Sequence, residues 1–202
     1  MTITNGYATL AELQSHIDPQ GGVTWGASDE TQQELAIEAA SRWIDNQTGR
    51  VFCAVAETRY YDAQASDSVT IDDATAVTAV KIDDDLDRTY GTTFASSDYE
   101  LIPRNAAARN KPYTEIRTTP NGSYAFTTYR DSVSVSGTFG YASEVPSDIK
   151  AACLILAHQI WKRKDAIFGV SGIQALGVQV ITAKITNDAH VMVLVAPYKR
   201  LI

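Results

Sequence analysis

The sequence predicts an α+β fold, a small helical bundle that is interrupted by a long β-rich insertion. Three observations support this prediction: helical spacing of apolar residues before Gly49, alternation from Arg50 to Tyr141, and a return to helical spacing after Pro146. The helical segments on both sides of the insertion are therefore expected to pack together. We expect one domain over 1–202, with a helical part at 1–50 and 146–202 and the insertion at 51–145.

Helix boundaries are predicted from capping residues. Thr9 and Glu12 have the spacing of a capping box, in which each side chain accepts a hydrogen bond from an otherwise unpaired backbone N–H. Ser28 is the expected N-cap of the second helix, and Gly49 suits the left-handed conformation at which helices commonly end. The apolar stripe expected on the second helix comprises Leu35, Ala36, Ala39, Ala40, Trp43 and Ile44. Helices are expected near 9–17, 29–48 and 147–165, with a fourth candidate at 187–196.

The third helix is unusually apolar, because apolar side chains occupy most of its faces between Ile149 and Lys164. Such a helix lies at the centre of a core or is shared between subunits. An excess of apolar surface indicates partner chains rather than a substrate pocket. The residues predicted at a subunit interface are Leu154, Ile155, His158 and Trp161.

The insertion is expected to contain six strands. Asn121-Gly122 is a strong signal for the turn of a β-hairpin, and prolines separate several of the other segments. The expected strands are Thr58–Tyr61, Ser68–Ile71, Val77–Ile82, Tyr99–Ile102, Tyr113–Thr118 and Ser132–Phe139.

The C-terminal region has two interpretations. Asn187 and Asp188 are suited to cap a helix, whereas the alternating valines at 191, 193 and 195 favour a strand. Before this region, residues 169–177 are expected to form a loop and residues 178–185 an extended segment.

Charge is distributed unevenly along the chain. Residues 1–147 carry 10 Lys and Arg against 21 Asp and Glu, a net charge of −11, whereas residues 148–202 carry 7 against 3, a net charge of +4. This polarity suggests two ends that face different partners, and it argues against a general nucleic-acid binder with a continuous basic surface. The sequence contains no apolar run long enough for a membrane span, and its N-terminus does not resemble a secretory signal.

The candidate reactive residues form no recognisable catalytic or metal-binding motif. Cys53 and Cys153 lie in apolar contexts and are expected to be buried free thiols. The acidic run at 83–87 lacks the Gly and Glu that an EF-hand requires, so a solvated turn is expected. His158 is expected to be a core or interface residue. We therefore expect no enzyme, no catalytic residue, no metal and no cofactor.

Two other functions stay open from the residues alone. The first is a β module that binds a small ligand or a carbohydrate on a helical scaffold, which a deep aromatic pocket would favour. The second is a hydrolase without a recognisable motif, which clustered titratable groups with shifted pKa values would favour.

Several short motifs occur in a fixed order along nearly the whole chain. They are Thr-Leu-Ala-Glu-Leu at 9–13, Ala-Ser-Arg-Trp-Ile-Asp-Asn-Gln-Thr-Gly-Arg-Val-Phe at 40–52, Thr-Arg-Tyr-Tyr-Asp at 58–62, Gly-Thr-Phe-Gly-Tyr at 137–141, Val-Pro-Ser-Asp-Ile-Lys-Ala-Ala-Cys at 145–153, Trp-Lys-Arg-Lys-Asp at 161–165 and Ala-Pro-Tyr-Lys-Arg at 196–200. In this order and spacing, the chain resembles the head-tail connector (adaptor, or head-completion) proteins of tailed bacteriophages. It departs from the usual pattern in its longer β insertion and in the valine-rich stretch before Ala196.

The resemblance implies a structural virion protein at the neck, made in the host cytoplasm. Its implied partners are the portal protein, neighbouring copies in a ring that is commonly twelvefold, and the next neck or tail-completion protein. Genomic DNA would pass through the extended channel without sequence-specific binding, and no membrane is involved. An acidic body would suit such a channel, because it repels phosphates.

The C-terminal tail is the predicted portal-docking segment. It combines an apolar run at a chain end with net positive charge, and it matches the ending of the resembled family. The alternative is that this tail folds back and covers its own helices. The predicted docking residues are Pro197, Tyr198, Lys199 and Arg200.

Overall fold

The computed structural model describes residues 3, 5–163 and 188–200, together with the backbone of two short strands at 172–173 and 178–179. Its helices are α1 (Leu10–Ile17), α2 (Ala27–Thr48), α3 (Ser147–Lys162) and α4 (Ala189–Val195). Its strands are β1 (Val55–Tyr61), β2 (Ser68–Ile82), β3 (Thr92–Thr93), β4 (Tyr99–Ile102), β5 (Tyr113–Thr118), β6 (Val133–Phe139), β7 (Gly172–Ile173) and β8 (Val178–Gln179). Short 3-10 turns cover Ala107–Arg109 and Ala196–Tyr198. The predicted α+β class is confirmed.

The chain forms two compact units. The helical unit comprises 1–49 and 145–202 and contains the four α-helices, whereas the sheet unit comprises 50–144 and contains β1 to β6. These boundaries lie within one residue of the positions at which the sequence periodicity changes. That the two units constitute a single domain stays a prediction.

The ends of α1 and α2 show which caps were predicted correctly. The Thr9 hydroxyl accepts a hydrogen bond from the Glu12 N–H at 3.2 Å, and the Glu12 carboxylate accepts one from the Thr9 N–H at 2.8 Å, as expected for a capping box. Ser28 is not the N-cap of α2. The helix begins at Ala27, because the Gly26 carbonyl accepts the first backbone hydrogen bonds, and Gly49 ends it at φ 66°.

The predicted apolar stripe of α2 is only partly right. Ala36, Ala40 and Ile44 are buried, but Ala39 is exposed and Leu35 keeps 47% of its surface exposed. Polar residues take part in the buried face because their side chains find partners within the helix: Ser41 and Thr48 donate to backbone carbonyls one turn earlier. The buried residues of α2 are Gln33, Ala36, Ile37, Ala40, Ser41, Ile44 and Thr48.

The contacts of α3 with α1 and α2 give the directions of the helices. The Cys153 thiol lies 3.5 Å from the Ser41 hydroxyl, and the ring of Trp161 lies 5.7 Å from that of Trp25, so α2 and α3 are antiparallel. Lys150 pairs with Glu12 near the first turns of α3 and α1, which run in the same direction.

The helix α4 runs antiparallel to α3. Gln159 donates to the Asp188 carboxylate at the start of α4, and the Tyr198 hydroxyl donates to Asp148 at the first turn of α3. The predicted fourth helix is therefore confirmed, and the strand interpretation is wrong. Val191 and Val195 are buried on one helical face, because residues four apart lie on the same side of a helix.

The sheet of this protein is antiparallel, with the strand order β1-β6-β2-β5-β4, and β3 pairs with the end of β2. The two strands predicted at 68–71 and 77–82 are one strand of 15 residues. Its first half pairs with β5 and its second half with β6, and register irregularities lie between Thr70 and Ala79. β-Bulges let a single strand bend between two sets of partners, which local alternation does not reveal.

The hairpin predicted at Asn121-Gly122 is wrong. Gly122 closes a turn by donating its N–H to the Thr119 carbonyl at 2.9 Å, but β5 and β6 both pair with β2 rather than with each other. The short strand β3 was not predicted. The core of the sheet unit comprises Val69, Ile71, Ala74, Val80, Ile82, Phe94, Ile116, Phe126, Val133, Val135 and Phe139.

Predictions for the region after α3 are tested only in small part. Residues 172–173, expected in a loop, pair as β7 with β8, and residues 178–179 are extended as expected. The remaining expectations for 164–187, including the end of the third helix at 165, lie outside the described residues.

Candidate assembly surfaces

The apolar character of α3 reflects its central position in the helical unit. It packs against α1, α2 and α4, and its buried residues are Ile149, Ala152, Cys153, Leu156, Ala157 and Trp161. A helix that is surrounded on several sides needs apolar residues on several faces. Much of the apolar surface that suggested partner chains is therefore used within the unit itself.

The four residues predicted at a subunit interface differ in exposure. Trp161 is buried, with 8% of its surface exposed, and it meets Trp25 edge to face. Leu154, Ile155 and His158 are half-buried. Only these three can contribute side-chain surface to a neighbouring copy without rearrangement, and their role at an interface stays a prediction.

The structure brings two histidines together that are far apart in the sequence. The rings of His16 on α1 and His158 on α3 lie 5.7 Å apart. Burial lowers the pKa of His158, and the neighbouring His16 and Lys162 lower it further. His158 is therefore predominantly neutral near pH 7. The parallel packing of α1 on α3 creates this pair, so no local motif could have indicated it.

Asp188 anchors the C-terminal segment. One of its carboxylate oxygens accepts the N–H groups of His190 and Val191, as an N-cap does, and the other accepts the Gln159 amide at 2.5 Å. The hydrogen bond from Gln159 is the main reason that the pKa of Asp188 is lowered. The carboxylate thus ties the first turn of α4 to α3.

The predicted docking residues fall into two pairs. The Tyr198 hydroxyl donates to Asp148 at 3.3 Å, and the Arg200 N–H donates to the Thr48 carbonyl at 2.8 Å, which satisfies a carbonyl at the end of α2. Pro197 and Lys199 are exposed. The segment therefore folds back onto its own helices through Tyr198 and Arg200, and it presents Pro197 and Lys199 outward.

The helical unit exposes Val23, which precedes α2, and it exposes apolar side chains on its helices at two places. The first, here called the Leu35 patch, comprises Leu35 and Ala39 on α2. The second, the Val193 patch, comprises Val193, which is 71% exposed, with Ala196 and Pro197. Isolated exposed apolar residues are ordinary, but larger apolar areas on a surface mark interaction sites.

Both patches could have been found in the sequence. Leu35 is two residues from Ile37, so it points about 160° away from the buried face that Ile37 and Ile44 define. Val193 stands in the same relation to the buried Val191 and Val195. Apolar neighbours on α2 obscure the outward position of Leu35, and the alternation of the valines also fits a strand.

Several arginines of the sheet unit form ion pairs with its acidic residues. Arg59 contacts Glu57 at 2.5 Å and Asp72 at 2.8 Å, and Arg50 contacts the buried Asp73 at 2.6 Å. The unit still carries a net charge of −5, from 14 Asp and Glu against 9 Lys and Arg within 50–144. Its surface is therefore acidic although many of its cations are paired.

The acidic run forms a turn that Asp83 organises. Asp83 is buried, and its two carboxylate oxygens accept the backbone N–H groups of Asp87 and Arg88 at 3.1 and 3.0 Å. Ligand atoms of Asp83, Asp85 and Asp87 lie within 4.8 Å of one another, and they form the group of carboxylates in the described residues that could approach a cation. Because Asp83 already serves the backbone of the turn, the geometry agrees with the expected turn.

The two free cysteines differ in burial, and the buried thiol has little nucleophilic character. Cys153 is buried, as expected, whereas Cys53 is only half-buried. Burial raises the pKa of the Cys153 thiol to about 11. The thiol is therefore protonated near neutral pH, and a protonated thiol is a weak nucleophile.

Aromatic residues of the sheet unit pack on one another. The ring of Phe94 stacks on Tyr124 at 5.3 Å and on Phe126 at 5.2 Å, and the ring of Tyr60 lies 5.2 Å from Tyr90. These contacts assign Tyr60, Tyr90 and Tyr124 to packing within the sheet unit.

Among the described helices, none has the length and apolar character needed to cross a membrane.

Comparison with known proteins identifies the fold. The chain matches no protein-family model and no curated protein. It resembles a chain in the neck of an empty gene transfer agent (GTA) particle computed with C6 symmetry, with a TM-score of 0.62 and 16% identity over 100% of this chain and 94% of that chain. A chain in the virion of a native GTA particle gives a TM-score of 0.63 and 17% identity, over 100% and 94% of the two chains. A chain in the neck of a native GTA particle computed with C12 symmetry gives a TM-score of 0.56 and 17% identity, over 100% of this chain and 93% of that chain. The shared fold therefore covers both units of this chain.

Proposed function

We propose that this chain is a structural protein of a virion neck. Identical copies form a closed ring beneath the portal. This ring connects the head to the tail and extends the DNA channel. The observation that carries this proposal is the likeness of the whole chain, both units included, to chains from GTA necks and a GTA virion. The ordered motifs that resemble head-tail connectors support the same function independently of the fold.

The symmetry of the similar assemblies supports a ring. Two of those structures were computed with C6 and C12 symmetry. In this chain the exposed Leu35 and Val193 patches and the half-buried Leu154 and Ile155 offer apolar surface for neighbouring copies. A ring needs a heterologous contact that repeats around an axis, and twelve copies is the number we propose.

The acidic charge of the chain supports passage of DNA without retention. The net charge is −7 for the whole chain and −5 for the sheet unit. A DNA-binding surface gains its affinity from cations that neutralise phosphates, so an acidic surface holds DNA poorly. We propose that DNA passes through the ring without sequence-specific contacts.

We infer a structural rather than a catalytic role. Cys153 is a protonated thiol inside the bundle, and the aromatic rings of the sheet unit stack on one another. These observations favour neither the hydrolase nor the ligand-binding alternative.

The ring is tested with the full chain and two variants, Leu154→Asp and Asp84→Ala. Native mass spectrometry of the wild type, and its localisation in purified particles, should show a closed oligomer. Leu154→Asp should disturb assembly, because desolvating an unpaired carboxylate at an interface costs several kcal/mol, whereas Asp84→Ala should not. Equal assembly of both variants, under conditions where the wild type assembles, contradicts a role for Leu154.

Portal docking by the tail is tested by deleting residues 197–202. The proposed outcome is loss of portal binding in a pull-down, together with a loss of thermal stability because the deletion removes the contacts of Tyr198 and Arg200 with the helical unit. A milder variant, Lys199→Glu, keeps those contacts, and measuring its oligomeric state beside its portal binding separates docking from folding and from ring formation. If both variants bind portal normally and the truncated protein unfolds at a lower temperature, the tail covers its own helices and does not dock to the portal.

A further inference from the structure

We propose that the Leu35 patch of one copy packs against the Val193 patch of the next copy in the ring. This inference rests on the ring proposed above and names the two surfaces that form its repeating contact. Three features support this contact: the levels of the two patches along the bundle, the charges around them and their positions on different helices.

The two patches lie within about one to two helical turns of the same level along the helical unit. Cys153 marks this level on α3, since its thiol lies 3.9 Å from the Ile37 carbonyl and close to Ser41. Leu35 is half a turn from Ile37 on α2. The helix α4 and the turn that follows it lie along α3, beginning beside Gln159 and ending beside Asp148. Val193 lies midway along this segment. A rotation about an axis parallel to the bundle, combined with a shift in height of at most about one to two helical turns, therefore brings the two patches together.

The charges around the patches are complementary. Residues 27–42, which include the Leu35 patch, contain Asp29, Glu30, Glu34 and Glu38 against one cation, Arg42, which pairs with Asp45. Residues 188–200, which include the Val193 patch, contain Lys199 and Arg200 against one carboxylate, Asp188, which is bound to Gln159 and to the first turn of α4. An acidic border facing a basic border favours this pairing, whereas pairing of either patch with itself would place like charges together.

The positions of the patches determine the kind of assembly. Leu35 is on α2 and Val193 is on α4, so the contact joins two different surfaces of the same chain. Such a heterologous contact continues from copy to copy, and it closes into a ring when the rotation between neighbouring copies divides a full turn. A contact between identical patches would instead stop at a dimer.

The test is cross-linking of two full-length variants in a Cys53→Ser background. One carries Leu35→Cys and the other Val193→Cys, and a short bismaleimide joins copies in the mixture. Cys153 should stay unmodified because it is buried and its pKa is raised to about 11. Ser15→Cys, at an exposed position of α1, replaces Leu35→Cys in the control mixture. The same reaction is run on purified particles that carry a chain with both substitutions.

The expected product joins residue 35 of one copy to residue 193 of another, and it exceeds the 35–35, 193–193 and 15–193 products. A charge exchange gives a second measurement. Glu38→Lys should weaken association roughly threefold, as expected for an exposed ion pair, and Lys199→Glu in the same chain should restore it.

The outcomes separate this contact from the proposed function. If the wild type forms a ring or occupies the neck of particles, but the 35–193 product does not exceed the 15–193 control, this contact is wrong and the neck function stands. If the dominant product is 35–35, the contact is isologous and the inference is overturned. If the wild type is monomeric at its highest soluble concentration and absent from particles, the proposed function and this inference both fail.

Discussion

The helical unit and the sheet unit use exposed apolar groups differently. In the sheet unit, Tyr60 is 54% exposed, yet its ring packs on Tyr90, and the exposed Tyr124 stacks on Phe94. The sheet unit also exposes aliphatic residues, and Leu86 at 47% equals Leu35 in exposure. In the helical unit, Leu35 and Val193 lie on the outer faces of helices whose opposite faces are buried. Exposure alone therefore does not identify an interface, and the proposed contact depends on position relative to the buried face and on the surrounding charge.

The two units also differ in how closely their backbones approach. In the sheet unit, a Cβ on Gly140 would meet the Cys53 carbonyl oxygen at 2.5 Å, and one on Gly137 would overlap the carbonyl oxygen of Ala76. The helical unit is closed by side chains, with Leu156 and Ile149 at its centre. The predictions below test this difference, from the largest expected effect to the smallest.

Gly140→Ala should destabilise the sheet unit by about 4 kcal/mol, because a positive φ of 147° and a backbone clash act together. Hydrogen exchange of β2 and β6 measures the effect. Gly91→Ala is the matched control in the same unit, since its Cβ would meet only the Thr89 carbonyl at 3.9 Å. Similar exchange in the two variants would contradict a special role for Gly140.

Leu156→Ala should destabilise the helical unit by about 3 kcal/mol, because it opens a cavity at a fully buried position. Tryptophan fluorescence during urea unfolding is the measurement, since Trp25, Trp43 and Trp161 all belong to this unit. Leu35→Ala is the control and should change stability by less than about 0.5 kcal/mol. A large loss of monomer stability in Leu35→Ala would show that this side chain serves the fold rather than assembly.

Thr9→Ala should lower the free energy of unfolding by about 1 kcal/mol, because it removes the acceptor for the Glu12 N–H at the start of α1. Thr9→Ser keeps the hydroxyl and should unfold at nearly the wild-type urea concentration. If the serine variant is as unstable as the alanine variant, packing of the threonine methyl group, rather than capping, explains the loss.

The smallest effect should come from pH. The pKa of His158 is lowered in the folded chain, so between that value and the ordinary 6.5 the unfolded chain binds more protons. The contribution of His158 to the free energy of unfolding is therefore fully present above pH 6.5, and it decreases as the pH drops through the folded pKa. His158→Gln should flatten this decline in unfolding measured from pH 7.5 to 5, whereas His190→Gln, at an exposed position, should not. Parallel curves for the wild type and His158→Gln would remove His158 as the cause.

The sequence by itself determined the features that depend on neighbouring residues. The capping box at Thr9 and Glu12, the left-handed Gly49 and the change of periodicity near Arg50 are local, and each occurs as expected. Periodicity also indicated four helices and most strands, because the 3.6-residue and two-residue repeats are properties of the backbone.

Tertiary structure alone decided which face of a helix is buried and which strands pair. Ser41 rather than Ala39 faces α3. The strand β2 is continuous because β5 pairs with its first half and β6 with its second half. Asn121-Gly122 closes a turn, but the strands on its two sides do not form a hairpin. Packing likewise joined His16 to His158. It also tied Tyr198 to Asp148, so only part of the predicted docking segment points outward. These contacts connect residues far apart in the chain, so their free energy depends on the whole arrangement and leaves no local pattern in the sequence.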